Sequence, residues 1–352
     1  MPLDDGAPDP LLHRSDHAEP SVFLPENLLR EARRQLGLAD GRVPPVCLLD
    51  PDGDVVRHLR RTDQASRSES WACYHTELWG TEVDGIPIGI VGRAVGAPFA
   101  VLVAEQLFAS GCELLVSVTS AGLIVPDVPV PRIILIERAL RAEGTSGAYL
   151  PPTTYVEGEA RLLGRVADGL ERAGLGFVRG TAWTTDAPYR ETASALEAAA
   201  AAGIMAVEME AAGLYAFAKA RERPVVCFAH ITNQMARVEG DFEKGPANGA
   251  DLTLALVGAV ARSAYIVRSR GERGANADGY HRPDDRREDG TDAGPDRDRA
   301  GHGGDPDFFR ADPVRERDRQ SLRVHASRRR PVVDHEPDRP ALRPKYLEQP
   351  RQ

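Results

Sequence analysis

A short apolar run that passes directly into a small-residue helix constrains the fold more than any other segment of this chain. Residues 204–207 form the apolar run, and the apolar residues within 214–218 recur at the i, i+3, i+4 spacing of a helix face. Glu208 and Glu210 lie at the junction, with Met209 between them. In an extended segment residues i and i+2 point the same way, whereas in a helix they diverge. The junction therefore directs both carboxylates into one cleft only if the chain is still extended there.

An acidic pair at such a junction suits a ligand that is rich in hydroxyl groups. A carboxylate accepts hydrogen bonds, and its two oxygens can take a paired donation from a vicinal diol such as the 2′- and 3′-hydroxyls of ribose. The alternative is that Glu208 and Glu210 are first-turn helix residues, which the positive end of the helix dipole stabilises. The two carboxylates by themselves leave both interpretations open.

Apolar runs of strand length alternate with helix-periodic segments along most of the chain. This alternation predicts an α/β fold, a single domain with a mixed, mostly parallel central sheet flanked by helices. Ligands in such sheets bind beyond the carboxyl ends of the strands. The predicted strands cover residues 46–49, 86–92, 113–118, 132–136, 176–183, 204–207 and 224–231, and the predicted helices other than the one after the junction cover residues 25–36, 99–110, 160–173, 193–202 and 250–267.

Four segments receive more specific predictions. Pro87 has no N–H to donate and so places strand 86–92 near a sheet edge. Residues 59–70 are polar and predict a loop, and residues 119–122 predict a small-residue turn after a strand. Residues 137–157 predict a loop-rich insertion.

The composition changes near both ends of the chain. Residues 1–20 are rich in Asp and Pro, whereas residues 269–352 are crowded with Arg, Asp, Gly and Pro and have no hydrophobic period. Such segments bury too little apolar surface to order themselves. We therefore expect a disordered lead over residues 1–20, a folded domain over residues 21–268 and a disordered low-complexity tail over residues 269–352.

Charge, cysteine content and hydropathy argue against several kinds of partner. The net charge is −9, which does not favour a nucleic-acid partner. The four cysteines have no paired spacing and indicate buried thiols rather than a disulfide framework or a metal site. No apolar run approaches the roughly 18 residues of a membrane span, and the N-terminus lacks the features of a signal peptide. We expect a cytoplasmic protein without a metal and without a membrane partner.

The run AVEMEAAGLYAFA resembles the ribose-binding segment of the nucleoside phosphorylase family, which includes purine nucleoside phosphorylases, uridine phosphorylases and methylthioadenosine/adenosylhomocysteine nucleosidases. The resemblance covers about residues 44–262, most of the chain that we expect to be ordered. It implies that Met209 packs under the sugar. It also implies that Glu210 holds the sugar hydroxyls as a catalytic residue, with Glu208 in support.

Four other segments carry the resemblance. LLVSVTSAGLI resembles the strand and turn beneath phosphate and sugar, which implies substrate contacts for Thr119, Ser120, Ala121 and Gly122. The first two, with neighbouring backbone N–H groups, would form a small anion-binding nest. AVGAPFA resembles a glycine-rich turn before a helix, TTDAPYRE the loop that places an aromatic ring on the base, and VVCFAHITNQM the strand whose end contacts the base.

The same resemblance assigns three further residues. Tyr189 would stack on the base, and Asn233 would act on it as a catalytic residue, unless Asn233 only caps the strand-to-loop turn. An amide donates and accepts hydrogen bonds but cannot transfer a proton. Because many purine-cleaving relatives have Asp at this place, Asn233 favours a 6-oxopurine or pyrimidine base. His75 lies near where relatives bring a basic residue across a subunit interface to phosphate.

The departures from the family pattern concern phosphate. Val116 replaces an Arg that phosphorolytic relatives usually have, and the first loop reads Asp50-Pro51-Asp52-Gly53-Asp54. Acidic residues repel phosphate unless cations compensate. Asp52 or Asp54 would instead activate a water molecule in the nucleosidase branch, or both are turn-forming residues.

Three functions follow from the resemblance. The favoured one is cleavage of the N-glycosidic bond of a nucleoside by phosphate, a pentosyltransferase reaction that gives free base and ribose 1-phosphate. The alternatives are a nucleosidase that uses water, and a catalytically weak nucleoside-binding protein. The resemblance implies no cofactor, phosphate as co-substrate, and a homo-oligomer between a dimer and a hexamer.

Overall fold

The computed structural model of the protein describes residues 16–125, 133–235 and 239–271, with side chains described as far as residue 263. The predicted disordered lead and tail lie almost entirely outside these residues. The domain boundaries at residues 21 and 268 therefore stay predictions.

Helices and strands alternate through the described residues much as the sequence predicts. The helices are α1 (Pro25–Leu36), α2 (Asp54–Arg61), α3 (Ala97–Ala109), α4 (Ala160–Arg172), α5 (Ala193–Ala201), α6 (Ala211–Arg221) and α7 (Ala250–Gly271). The strands are β1 (Val46–Asp50), β2 (Ser66–Arg67), β3 (Leu78–Val83), β4 (Ile86–Gly92), β5 (Leu114–Leu123), β6 (Ile133–Ala142), β7 (Tyr155–Glu157), β8 (Val178–Thr185), β9 (Ile204–Glu208) and β10 (Val225–Asn233).

Strand β5 organises the sheet because it pairs with three other strands. It is parallel to β1 and β10 and antiparallel to β9. From β9 the pairing continues through β8 and β6 to β10, which closes five strands into a ring. Strands β4, β3 and β2 extend the sheet beyond β1. The predicted mixed α/β sheet is confirmed, whereas its closure was not predicted.

Helices cover both faces of the sheet, and the side chains of β1 show how. Cys47 and Leu49 belong to an apolar cluster with residues of α3 and α6, whereas Val46 and Leu48 belong to a cluster with residues of α2, α4 and α7. This alternation is the two-residue period of a strand that is buried on both faces.

Two of the local predictions are wrong. Residues 59–70 are not a plain loop, since α2 extends to Arg61 and β2 follows. The apolar positions of α2 are few, and charged residues surround them. Strand β4 is internal, between β1 and β3; Pro87 is accommodated because pairing with β1 begins only at Ile88.

Two predicted irregular segments also continue strands. Residues 119–122 are not a turn but the end of β5, because β10 pairs with the whole segment. The insertion at 137–157 contains the second half of β6 and the strand β7, which pair with each other across a short 3-10 turn, Ser146–Ala148.

The junction helix α6 packs against α3 at a position where only glycine fits. A Cβ atom at Gly213 would lie 2.7 Å from the Cβ of Ala97, at the start of α3. Real Cβ atoms do not approach so closely, so any side chain here must push the two helices apart. The glycine of the AAG run therefore sets how closely the acidic junction approaches the turn before α3.

We predict that Gly213→Ala lowers the free energy of unfolding by about 1–3 kcal/mol through this overpacking, although alanine is the better helix former. Gly164→Ala is the matched control within α4, where an added Cβ meets nothing within 4 Å. It should be neutral or stabilise by about 0.5–1 kcal/mol. Urea unfolding of the two variants measures the difference; equal effects would show that the approach of α6 to α3 is not tight.

Candidate active site

Strand β5 exchanges one neighbour for another along one of its edges. On that edge β1 pairs with residues 114–117 and β9 with residues 122–123, while β10 pairs with residues 115–122 on the other edge. Within the described part of the chain, residues 118–121 therefore have a strand neighbour on one edge only. The loop after β1 and the junction after β9 both approach this open edge. Such a point in an α/β sheet is where ligands bind.

Glu210 lies at the open edge as the N-cap residue of α6 and is 1% exposed. Its Oε1 accepts a hydrogen bond of 2.7 Å from the N–H of Gly96, in the turn before α3. Its Oε2 is buried and accepts no hydrogen bond of regular geometry from the residues that the structure describes, although the Thr119 hydroxyl lies close enough to the carboxyl to lower its pKa. An unpartnered buried oxygen of this kind costs about 1–3 kcal/mol, more when it is charged. This oxygen is therefore available to accept a hydrogen bond from a ligand.

Glu208 has a different role although it is only two residues away. Its Oε2 accepts the N–H groups of Glu210 and Ala211 at 2.7 and 2.8 Å, which are free donors at the start of α6. Its Oε1 accepts the hydroxyl of Thr184, and the Thr184 oxygen accepts the N–H of Ala212 at 2.9 Å. Glu208 thus fixes the start of α6. The two glutamates differ because β9 ends at Glu208, and the chain is no longer extended at Glu210.

The two carboxyls influence each other's ionisation. Burial, with the charge of Glu210, raises the pKa of Glu208 to about 8, although hydrogen bonds from Thr184 and two backbone N–H groups oppose the shift. Burial also raises the pKa of Glu210, against the N–H of Gly96 and the hydroxyl of Thr119. Two close buried carboxyls do not both ionise readily, so burial and their proximity both favour the protonated form of the pair.

The loop after β1 joins the open edge through charged hydrogen bonds. The hydroxyl of Ser120 donates to Asp52 Oδ1 at 3.0 Å, and Lys244 Nζ donates to Asp52 Oδ2 at 3.0 Å. Lys244 also donates to Asp54 Oδ2 at 2.6 Å, and Arg57 pairs with the other oxygen of Asp54. The two predicted water-activating carboxylates are therefore both ion-paired, and every one of their oxygens has a donor.

Asp50, the last residue of β1, supports this loop. It is 4% exposed, its Oδ2 accepts the N–H of Val56 at 3.0 Å, and its carbonyl accepts the N–H groups of Gly53 and Arg93. Burial raises the pKa of Asp50 to about 6, with smaller contributions from the charges of Asp52 and Asp54 that act against the N–H of Val56. Asp50 thus fixes the start of α2 and the end of β4 together.

A cavity of about 280 Å³ adjoins this loop and is rich in cationic groups. Arg57, Arg60 and Arg93 line it together with His75, the acidic Glu77 and Gly53 of the loop after β1. His75 is exposed, and its ring meets that of Phe99 edge-on at 6.4 Å between centroids. The predicted His75 is thereby placed among three arginines.

Val116, in contrast, is fully buried in the apolar cluster beneath α2 and α7. Position 116 therefore carries no cation. The cations near the loop after β1 belong to α2, to the residue that follows β4 and to the segment that contains Lys244.

Of the residues predicted to contact the base, Asn233 makes turn-forming hydrogen bonds and Tyr189 is exposed. Asn233 Oδ1 accepts the N–H of Met235 at 2.9 Å, and its Nδ2 donates to Thr232 at 3.2 Å, which are the bonds of a turn-forming Asn. Met235 has a positive φ of 69° and lies against Gly122, where a Cβ would be 2.6 Å from its sulfur. Tyr189 is 99% exposed. Ala121 is buried beside Gly122, and Met209 is half-buried between the two glutamates.

Several residues of this region were not found by sequence reasoning. Lys244 and Arg93 belong to segments with no helical or strand period, and Thr184 and Gly96 act through one hydroxyl and one backbone N–H. A usable signal existed for Arg93 alone, because it follows a predicted strand and precedes the glycine-rich turn.

Across the described ranges, no group of three or more His, Cys, Asp or Glu side chains has the arrangement of a metal site. In the same part of the chain, no helix combines the length and the apolar character that crossing a membrane requires.

The chain belongs to the phosphorylase superfamily, whose sequence model matches residues 45–268. It is 28% identical over 204 residues to a guanosine phosphorylase of Halorubrum lacusprofundi, covering 56% of this chain and 80% of that protein. It is 30% identical over 193 residues to a DeoD-type purine nucleoside phosphorylase of Exiguobacterium sp., covering 52% and 78%. A uridine phosphorylase of Thermococcus kodakarensis is 27% identical over 105 residues, but this match spans 30% of this chain and only 38% of that protein.

Solved structures show the same fold. The chain aligns with uridine phosphorylase from Vibrio fischeri with a TM-score of 0.54 and 20% identity, over 64% of this chain and 97% of that one. It aligns with the 5′-methylthioadenosine/S-adenosyl homocysteine nucleosidase of Campylobacter jejuni with a TM-score of 0.52 and 14% identity, over 62% and 98%. The resemblance to nucleoside phosphorylases and the assignment as an enzyme of that family are confirmed.

The coupled carboxyls predict how stability depends on pH. Both have folded-state pKa values above the ordinary 4.5, so the folded protein holds protons that the unfolded chain has lost. Their contribution to stability is fully present below about pH 4.5 and is lost as the pH rises towards about 8. We predict that Glu210→Gln lowers the pKa of Glu208 and reduces this decline by about 1.4 kcal/mol, the equivalent of one pKa unit.

Urea unfolding at several values between about pH 5 and pH 9 measures this decline in the wild type and in the variant. Glu197→Gln, an exposed residue of α5, is the control. Parallel curves for the wild type and Glu210→Gln would contradict the coupling.

Proposed function

We propose that the protein cleaves the N-glycosidic bond of a nucleoside by phosphate attack and releases the free base and ribose 1-phosphate. The buried Oε2 of Glu210, which accepts no hydrogen bond of regular geometry from the described residues, is the observation that carries this proposal. A ribose hydroxyl is a donor of the right kind for it, and the guanosine and purine nucleoside phosphorylases among the relatives act on substrates that contain this sugar.

The reaction places positive charge on the sugar while the base leaves as an anion. Catalysis therefore requires a fixed sugar, a stabilised base and a positioned nucleophile. Glu210 holds the sugar from the α6 junction, with the half-buried Met209 next to it. Thr119 and Ser120 lie on the neighbouring open edge of β5, between the sugar and the loop after β1.

The cationic groups around that loop support phosphate as the nucleophile. Arg57, Arg60 and Arg93 share one cavity with His75, and Lys244 contacts the same loop, but Arg57 and Lys244 are already paired with aspartates of that loop. In this proposal Arg60 and Arg93, which form no ion pair with Asp52 or Asp54 in the described part of the chain, supply the positive charge that Val116 lacks. The base would lie beyond Asn233 and under Tyr189, whose side chain is 99% exposed in this conformation and would move towards the base on binding.

Hydrolysis by water is the second candidate, because Asp52 lies at the open edge and bonds Ser120. Its ion pair with Lys244 argues against it as a general base, since a base needs a free oxygen to take a proton. The reaction needs no cofactor in either case. We also propose a homo-oligomer, between a dimer and a hexamer, because the exposed His75 leaves room for a neighbouring subunit at the cavity that it lines. We further propose a cytoplasmic location.

We predict that Glu210→Ala lowers kcat/KM for nucleoside cleavage on the order of 100-fold or more, because the sugar loses its acceptor. The fold should persist, as judged by far-UV circular dichroism. Glu197→Ala on the exposed face of α5 is the control and should keep wild-type turnover. Unchanged turnover in Glu210→Ala would remove the sugar-binding role.

The nucleophile is tested by base release from inosine, guanosine, adenosine, uridine and methylthioadenosine, with and without phosphate. We expect release only with phosphate, and ribose 1-phosphate as the product. Asp52→Asn should then keep at least a tenth of the activity, whereas a hydrolase would release base equally without phosphate and lose its activity in Asp52→Asn. Release from none of the five nucleosides would contradict the proposal itself.

A further inference from the structure

The segment 239–249, between β10 and α7, enters the proposed function only through the charge of Lys244. It is fixed to the rest of the domain at several points. The N–H of Glu243 donates to the carbonyl of Thr232 at 2.7 Å, and Asp241 accepts the N–H of Gln234 at 2.8 Å. Gly249 lies against the ring of His230, where a Cβ would be 2.5 Å from a ring carbon. The segment therefore presents its side chains at defined places.

Lys244 is the side chain that this segment extends towards the open edge of β5. Its ammonium contacts Asp52 and Asp54, and the side chain is only 19% exposed. Burial lowers the pKa of Lys244, but the hydrogen bonds and charges of Asp54 and Asp52 raise it by more, so the group stays protonated. Asp52 in turn bonds Ser120, which places Lys244 two hydrogen bonds from the edge.

The charge balance of the loop depends on this one residue. Asp52 and Asp54 contribute two negative charges, to which the buried Asp50 adds because its pKa is about 6, and Arg57 and Lys244 offset two of these charges. Without Lys244 the loop would carry a net negative charge beside the place where phosphate must bind. Repulsion between like charges in a half-buried site is strong and is poorly screened by salt.

We infer that Lys244 is the residue that makes the nucleophile subsite accept phosphate, because it neutralises Asp52 and holds its carboxylate against Ser120. This inference rests on the proposed function. It makes Lys244 a positioning residue, which acts through Asp52 and not by touching the sugar. It also explains how a chain with Val116 retains a phosphate subsite.

The test compares Lys244→Met, which keeps the length of the side chain and removes its charge, with Lys244→Arg, which keeps the charge. Lys219→Met is the matched control, because Lys219 is exposed on α6 and pairs with nothing at the site. In cleavage assays Lys244→Met should raise the KM for phosphate at least tenfold and change the KM for nucleoside less than threefold. The KM for phosphate of Lys244→Arg should stay within about fivefold of the wild-type value, and that of Lys219→Met should equal the wild-type value.

A charge-compensated variant separates neutralisation from a merely structural ion pair. In Lys244→Met combined with Asp52→Asn, the KM for phosphate should fall at least threefold from its value in Lys244→Met. If Lys244 only anchored its segment, both KM values would change together and the second substitution would restore nothing. That result, or an unchanged KM for phosphate in Lys244→Met, would overturn the inference while leaving the proposed function standing.

Calorimetric titration with inorganic phosphate alone makes the test independent of turnover. The wild type and Lys219→Met should bind phosphate, and Lys244→Met should bind it at least tenfold more weakly. Equal binding by all three, or binding by none, would overturn the inference. Failure to cleave any nucleoside, with the predicted pattern of phosphate binding, would contradict the proposed function alone.

Discussion

The buried start of α6 is the constraint on which the rest of this structure depends. Its first N–H groups have no partner within the helix, and they lie beneath the protein surface where water cannot satisfy them. Glu208 Oε2 accepts two of these N–H groups, and Oε1 accepts the hydroxyl of Thr184, whose oxygen accepts a third from Ala212. Both oxygens of Glu208 are therefore occupied. Glu210 Oε1 accepts the N–H of Gly96, and Glu210 Oε2 accepts no hydrogen bond of regular geometry from the described residues. One carboxylate builds the junction, and the other is available to a ligand.

The sheet brings the remaining parts to this junction by an exchange of strands. The pairing of β5 with β1 ends at residue 117, and its pairing with β9 begins at residue 122. The edge of β5 is therefore open over four residues, close to the loop after β1 and the junction after β9. On the β9 side the charge is acidic and buried. On the β1 side two aspartates are balanced by Arg57 and Lys244, and Arg60 and Arg93 share a cavity with Arg57 and His75. A sugar with an anion beside it fits this division of charge.

The sequence allowed the local elements to be predicted and left the long-range contacts undetermined. The apolar run and the small-residue helix at 204–218 were predicted correctly, because their periods are local. The separate roles of Glu208 and Glu210 were not predictable, since their partners Thr184 and Gly96 lie 24 and 114 residues away in the chain. The pairing of Lys244 with Asp54 joins residues 190 positions apart, and the closure of the sheet likewise depends on strand pairs with no local signal. Helix α2 was missed for another reason, because charged residues surround its few apolar positions.

The central claim is that the free oxygen of Glu210 receives a hydroxyl of the sugar. It is tested most directly by calorimetric binding of the best nucleoside and its 2′,3′-dideoxy analogue to the wild type and to Glu210→Ala. A direct bond predicts that the wild type loses at least about 1.5 kcal/mol of binding free energy when the hydroxyls are removed, as expected for a hydrogen bond to a charged group. In Glu210→Ala the two ligands should bind alike, since the interaction is already absent. The same loss in both proteins would contradict the claim.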